Sequence, residues 1–179
     1  DSQGLISFPG AVLSHRRLSL IDIGGGSQPL LSPDGRFAIT YNGEVYNYRE
    51  LRRLLTEHWT FTSASDTEVV LAAYCTWGDK CLLRFNGMFS FFIWDSMKQE
   101  GFGARDLLGI KPFVYSYASK RFTFASEAKA ILAIKGNDSY VNEEAVLEYL
   151  VAPYFSGVEQ PMFDCLEYLN AGYCLRMGK

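Results

Sequence analysis

The sequence predicts an α+β fold whose core is carried by antiparallel sheets rather than by a parallel doubly wound sheet. Three observations lead there. Strand-like runs at 101–105, 113–117 and 122–125 follow one another with short turns, as an antiparallel meander does and a parallel crossover cannot. The run Met88-Phe89-Ser90-Phe91-Phe92-Ile93-Trp94 is aromatic and almost continuously apolar, which suits a central strand buried on both faces. Apolar residues at helical spacing, Leu51, Leu54 and Leu55 and then Val69, Val70, Ala73 and Tyr74, place helices among these strands.

Taken in order, residues 1–10 are polar and punctuated by Gly and Pro, so they read as a loop, and 11–20 as a strand running through Arg16 and Arg17. Gly24-Gly25-Gly26-Ser27-Gln28-Pro29 is a second loop. It lacks the GxxxxGK spacing of a phosphate cradle. Pro33-Asp34-Gly35 turns into a strand at 36–41, and a helix at 48–57 follows, with Asn47 as its cap. Another helix starts after Ser65, with acidic residues in its first turn, and 80–85 is a shorter helical piece. Beyond the meander lie helices at 127–134 and 143–150, a break at Gly136-Asn137-Asp138-Ser139 and a final strand at 172–177. The domain organisation expected is a main unit at 1–135 and a C-terminal extension of it at 136–179.

A chain of 179 residues with 48% hydrophobic content can bury one well-packed core. Its 17 basic and 20 acidic residues give a net charge of -3 without a basic run, which argues against nucleic acid as a partner. Apolar stretches such as 87–94 fall far short of the roughly 20 residues a membrane helix needs. The chain is therefore read as soluble and free of membrane. Cys75, Cys81, Cys165 and Cys174 show neither CxxC nor zinc-ligand spacing and read as buried free thiols. Two histidines, His15 and His58, leave little material for a metal site or a Cys-His pair.

The candidate chemistry gathers at three places. Asn42-Gly43, at the end of a strand, offers an amide and an unhindered backbone N–H, as an oxyanion hole requires. Asp66, at a helix start, offers a carboxylate to a cation, and Arg17 a guanidinium to an anion. Each also has a plainer reading. Asn-Gly is a common turn, Asp66 can cap its helix, and Arg17 can be a surface charge.

The order of these motifs carries more than each alone. His15-Arg16-Arg17-Leu18-Ser19-Leu20-Ile21-Asp22, Gln28-Pro29-Leu30, Tyr41-Asn42-Gly43-Glu44-Val45-Tyr46-Asn47 and Ser65-Asp66-Thr67-Glu68 resemble the class II glutamine amidotransferase domain of asparagine synthetases. So do Gly87-Met88-Phe89-Ser90-Phe91, Ala104-Arg105-Asp106-Leu107-Leu108-Gly109-Ile110-Lys111-Pro112 and Ala125-Ser126-Glu127-Ala128-Lys129. The resemblance implies an N-terminal nucleophile hydrolase fold, an αββα sandwich of two antiparallel sheets between helical layers. It implies hydrolysis of glutamine to glutamate and ammonia for an ATP-dependent amidation. Carried over by motif, Arg17 would bind the substrate carboxylate, and Asp66 with Glu44 its ammonium group. Asn42 and the Gly43 N–H would form the oxyanion hole. The segment from Arg105 and Asp106 to Pro112 would position strands around the site.

Two departures from the family pattern set further expectations. The family nucleophile is a cysteine at residue one whose α-amino group serves as base, whereas residue one here is aspartate. Asp1-Ser2-Gln3-Gly4 resembles the end of the family's glutamine loop, so the chain as given is expected to be inactive. Each of the four internal cysteines has its α-nitrogen in a peptide bond and cannot substitute. The Ser-Gly-Gly-x-Asp-Ser loop of the family's synthetase domain is also missing, and Leu169-Asn170-Ala171-Gly172 replaces the expected Leu-Pro-Pro-Gly turn. No cofactor is expected in this chain, ATP and Mg²⁺ belonging to a synthetase domain of the same polypeptide. The resemblance further implies a cytoplasmic location and allows a homodimer. The rival reading is a non-catalytic relative that binds glutamine or a protein through the same fold.

Overall fold

The computed structural model describes residues 2–17, 27–135, 139–151 and 160–178, with the side chains of Ser2, Arg17 and Lys135 left aside. Residues 1–10, expected as a loop, instead hold the first strand. β1 (Ser2–Phe8) pairs antiparallel with β2 (Ala11–Arg17), from Ser2 opposite Arg17 to Phe8 opposite Ala11. Pro9-Gly10 forms the two-residue turn, with Gly10 at a φ of +83° that an L side chain adopts only at a cost. Ile6 and Phe8 alternate with exposed Leu5 and Ser7, so the half-buried period of two was present in a stretch that its Gly and Pro content disguised.

A five-stranded antiparallel sheet forms the centre. Its strands are β3 (Leu30–Leu31), β4 (Phe37–Val45), β5 (Gly87–Asp95), β6 (Glu100–Arg105) and, arriving last, β10 (Cys174–Met177), in the order β10-β6-β5-β4-β3. A second sheet, β8-β7-β9, contains β7 (Val114–Ala118), β8 (Arg121–Ala125) and β9 (Glu167–Tyr168). Residues past 136 thus supply one strand to each sheet. β5 lies between β4 and β6, as its double-faced apolar pattern predicts.

Helices α1 (Tyr48–Leu55) and α2 (Asp66–Trp77) cover one face of the central sheet. There Ile39, Tyr41, Val45, Phe89, Phe91, Ile93 and Phe102 pack with Leu51, Leu55 and Val69 to Ala73. The opposite face brings Ala38, Phe92 and Trp94 against Phe113 and the rings of Phe122 and Phe124, with Phe92 and Phe124 stacked at 4.3 Å between centroids. Beyond the second sheet, Val114 and Leu166 pack on Ile131 of α3 (Ala128–Lys135). The layers are helix, sheet, sheet, helix, the αββα arrangement expected. Complete burial of rings such as Phe91 and Phe113 contributes about 2–3 kcal/mol each. Of α4 (Glu143–Val151), only Ala145 is buried.

Several local expectations are corrected. The strand expected at 36–41 continues to Val45, because β5 pairs with it through to Val45 opposite Gly87. Asn47 stands at the start of α1 without capping it, since its side chain accepts from the Asn86 N–H at 3.0 Å and donates to the Arg84 carbonyl at 2.9 Å. The short helical piece is a 3-10 helix at Gly78–Arg84. The cysteines are free, but only Cys81 is fully buried, and Cys174 is exposed on an edge strand. The triple-glycine part of the second loop and the break at 136–138 lie outside the described residues. Among the described residues no helix is long and apolar enough to cross a membrane.

Candidate functional site

Strand alternation sorts the β4 residues between two environments. Phe37, Ile39, Tyr41 and Val45 face the helices, which puts Asn42 and Glu44, with Ala38 and Thr40, on the face toward the second sheet. Asn42 crosses that gap, its amide donating to the Ser126 hydroxyl just beyond β8 at 3.3 Å. Glu44 lies half-buried two residues further on. The hydroxyl of Thr40 is buried on the same face without a hydrogen-bond partner among the described residues.

Gly43 lies opposite Phe89 in the ladder. A Cβ there would run into the Met88 carbonyl oxygen and come within 2.7 Å of the Phe89 Cα, so the glycine is required first by the neighbouring strand. Gly87 has the reciprocal constraint against Glu44 and Val45. Close strand approach at both positions explains why Asn42-Gly43 continues the sheet and forms no turn.

Asp66 comes to this strand from the start of α2. Its Oδ2 accepts the Tyr41 hydroxyl at 2.6 Å and the Val45 N–H at 3.1 Å, and the residue is only 7% exposed. Burial, with the Asp66 carboxylate beside it, pushes the Tyr41 phenol far above its ordinary value. Tyr41 therefore remains a donor at neutral pH. The helix cap is Ser65, whose side chain accepts from the Glu68 N–H, and not Asp66. The two acidic residues of this first turn also meet the positive end of the helix dipole.

Glu68 has the capping-box spacing from Ser65, yet its carboxylate turns outward to the preceding loop. It accepts five hydrogen bonds, from the Trp59 indole, the Thr62 N–H and hydroxyl, and the Ser63 N–H and hydroxyl. Burial raises its pKa, but these donors outweigh burial and hold it below its ordinary value. Gln28 completes the support from the other side, accepting the Tyr41 N–H at 2.7 Å and donating to the Thr67 hydroxyl at 3.4 Å. The spacing of Gln28 gave no hint of this role; only its place in the Gln28-Pro29-Leu30 motif marked it.

The structure thus brings Asn42, Gly43, Glu44 and Asp66 to one end of β4, with Asp66 on the helix side of the strand and Asn42 and Glu44 on the other. Arg17 ends β2, its backbone opposite Ser2, and its side chain lies outside the described residues. The hairpin is held nearby, with His15 Nε2 3.1 Å from the Tyr41 carbonyl oxygen. Two clefts of about 440 and 430 Å³ share Phe37 and Cys75 and open at the opposite end of β4. They are separate from this site. Among the described residues no group of three His, Cys, Asp or Glu could hold a metal ion.

The Arg105 to Pro112 segment is a buried polar knot flanking the site. The Asp106 carboxylate accepts the N–H groups of Phe89, Leu108, Ile110 and Lys111, and its backbone N–H donates to the Phe89 carbonyl. Arg105 donates to the carbonyls of Gly109, Lys111 and Leu169 at 2.7 to 2.8 Å. Because Phe89 is also the partner of Gly43, the knot sets the strand that sets the glycine.

A family model described as a glutamine amidotransferase domain matches residues 1–179. Asparagine synthetase [glutamine-hydrolyzing] 1 of Bacillus subtilis is 40% identical over 151 residues, covering 84% of this chain and 24% of that protein. Asparagine synthetase B [glutamine-hydrolyzing] of Escherichia coli is 36% identical over 135 residues, 75% of this chain and 24% of that protein. The chain spans about a quarter of the length of these curated relatives. Among solved structures, a glutamine phosphoribosylpyrophosphate amidotransferase from B. subtilis superposes with a TM-score of 0.58 at 24% identity, covering 69% of this chain and 29% of its own, a likeness of fold alone.

Proposed function

This chain belongs to the glutamine amidotransferase domain family, and from that premise we propose that it is the glutamine-hydrolysing part of a longer asparagine synthetase-like polypeptide. The observation that carries the reading is the placement of Asn42, Gly43 and Glu44 at the end of β4 whose Val45 N–H is held by Asp66, in a chain 40% identical to a glutamine-hydrolysing synthetase.

In this reading Arg17 takes the substrate carboxylate, and Glu44 and Asp66 its ammonium group. The Asn42 amide and the Gly43 N–H receive the oxyanion formed when a thiolate adds to the side-chain carbonyl carbon. Ammonia leaves with a proton from the base, and water cleaves the thioester to glutamate. The nucleophile is a cysteine with a free α-amino group, and all four cysteines of this chain are internal. Cys75 and Cys81 serve the packing instead, for burial pushes both thiols up to about 12. Glutamine is the substrate, and the ammonia acceptor is a carboxylate, aspartate by analogy with the relatives, activated with ATP and Mg²⁺ in another part of the polypeptide.

The test is glutamate release from glutamine by the full-length native polypeptide, together with the sequence of its true N-terminus. Met-Cys-Gly at the start, measurable release, and a KM raised at least tenfold by Asp66→Asn are expected. Another residue after the methionine, with glutamine bound but not cleaved, overturns the enzyme in favour of a binding relative.

A further inference from the structure

The two oxyanion donors named above are held by different means. The Gly43 N–H belongs to backbone that pairs with Phe89 across β4 and β5, so the strand itself keeps it in place. The Asn42 amide instead hangs on two rotatable side-chain bonds. A donor stabilises a developing charge only as far as it is already aimed at it, so an amide free to turn loses much of its effect. Among the described residues one hydrogen bond restrains this side chain, the 3.3 Å contact in which Nδ2 donates to the Ser126 hydroxyl.

Ser126 stands on firm ground. It lies between β8 and α3, 84 residues along the chain from Asn42, and the backbone is anchored on both sides of it. Ala125 pairs with Val114, and Ile131 of α3 is fully buried beside Val114 and Leu166. The Ser126 hydroxyl meets no backbone N–H of α3 among the described residues, so helix capping does not account for it. Core packing does not account for it either, because the residue is exposed. Its one polar contact among the described residues spans the gap between the two sheets and ends on the candidate oxyanion donor.

Resting on the functional reading above, we propose that Ser126 is a positioning residue for glutamine hydrolysis, acting through Asn42. Its oxygen accepts one N–H of the Asn42 amide, which sets the side-chain rotamer and leaves the second N–H of the same nitrogen to meet the oxyanion. Ser126 touches no substrate in this role. The side-chain oxygen of bound glutamine carries less charge than the tetrahedral adduct does, so the aim of Asn42 matters most once that adduct forms. Loss of the Ser126 hydroxyl therefore lowers kcat and leaves KM nearly alone.

The experiment measures glutamate release by the full-length native polypeptide carrying Ser126→Ala, Ser126→Thr, Asn42→Ala, or Ser126→Ala together with Asn42→Ala. Removing an oxyanion donor outright costs about 10²–10³ in kcat, so loosening one should cost about tenfold. Ser126→Ala is expected to lower kcat by about that factor with KM within about twofold, and Ser126→Thr, which keeps the hydroxyl, to recover most of the loss. In the Asn42→Ala background the change at position 126 should cost nothing further, because the group it aims is gone. A kcat indifferent to Ser126→Ala, an equal loss with and without Asn42, or a loss carried by KM alone overturns this inference and leaves the functional reading standing. A native polypeptide that releases no glutamate overturns the functional reading, and this inference with it.

Discussion

The Tyr41 hydroxyl and the Val45 N–H converge on one oxygen of Asp66, at 2.6 and 3.1 Å, tying the first turn of α2 to β4. Tyr41→Phe removes a donor from a buried carboxylate while leaving the ring in place. A loss of about 1.5–3 kcal/mol in unfolding free energy is expected from denaturant titration. An unchanged midpoint would show that the contact adds nothing.

Acid should act through carboxyls held below their ordinary values. Arg36 lowers Asp95 through its side-chain hydrogen bonds, and the Ser32 hydroxyl lowers Asp34. At Glu68 and Asp106 burial opposes ionisation and the surrounding donors outweigh it. Groups lowered in this way stabilise the fold fully above their unfolded values of 3.8 for Asp and 4.5 for Glu, and that stability is lost as pH falls through the lowered values. Thermal melts should be nearly flat from about pH 7 to about pH 5 and fall steeply below about pH 4. Asp106→Asn should lower the neutral-pH melting temperature and shallow the acid slope. A slope unaltered by that change would assign acid sensitivity elsewhere.

Gly43→Ala tests whether the sheet or the substrate demands the glycine. Because its Cβ would strike the backbone of β5, a loss of about 1–3 kcal/mol in stability is expected without any ligand present. Full stability with impaired glutamine binding would return the constraint to the substrate.

Thiol accessibility gives the fourth expectation. In native protein at about pH 8, Cys174 on its exposed strand should react with an aromatic disulfide reagent well before Cys81, which is buried with its pKa pushed up to about 12. Peptide mapping after brief labelling reads the order directly, and early modification of Cys81 would contradict its burial.

Much of this architecture is legible in the sequence because the strongest signals are long and consistent. The aromatic run of β5, the helical spacing at Leu51 and Leu55 and the Ser65 start of α2 each match the elements observed. Local chemistry misleads where tertiary neighbours decide. Asn42-Gly43 has turn propensity, but the close approach of β5 makes it strand, and Asn47 has cap chemistry that Arg84 and Asn86 claim instead. At the site, residue types and order mark Asn42, Gly43, Glu44 and Asp66. The supports, Tyr41 to Asp66 and Gln28 to both Tyr41 and Thr67, join residues distant in sequence, and periodicity carries no signal for such pairs.

The pairing of β10 with β6 has a consequence for synthesis of the chain. Arg176 and Met177 pair with a strand of a sheet whose other described members are translated earlier, so β6 emerges from the ribosome with an open edge and stays open while α3, α4 and β9 are made. An unpaired edge carrying Phe102 invites association between nascent chains. Shortening the chain before Cys174 should therefore harm yield through aggregation more than through lost catalytic residues, for β10 is the strand that covers the β6 edge.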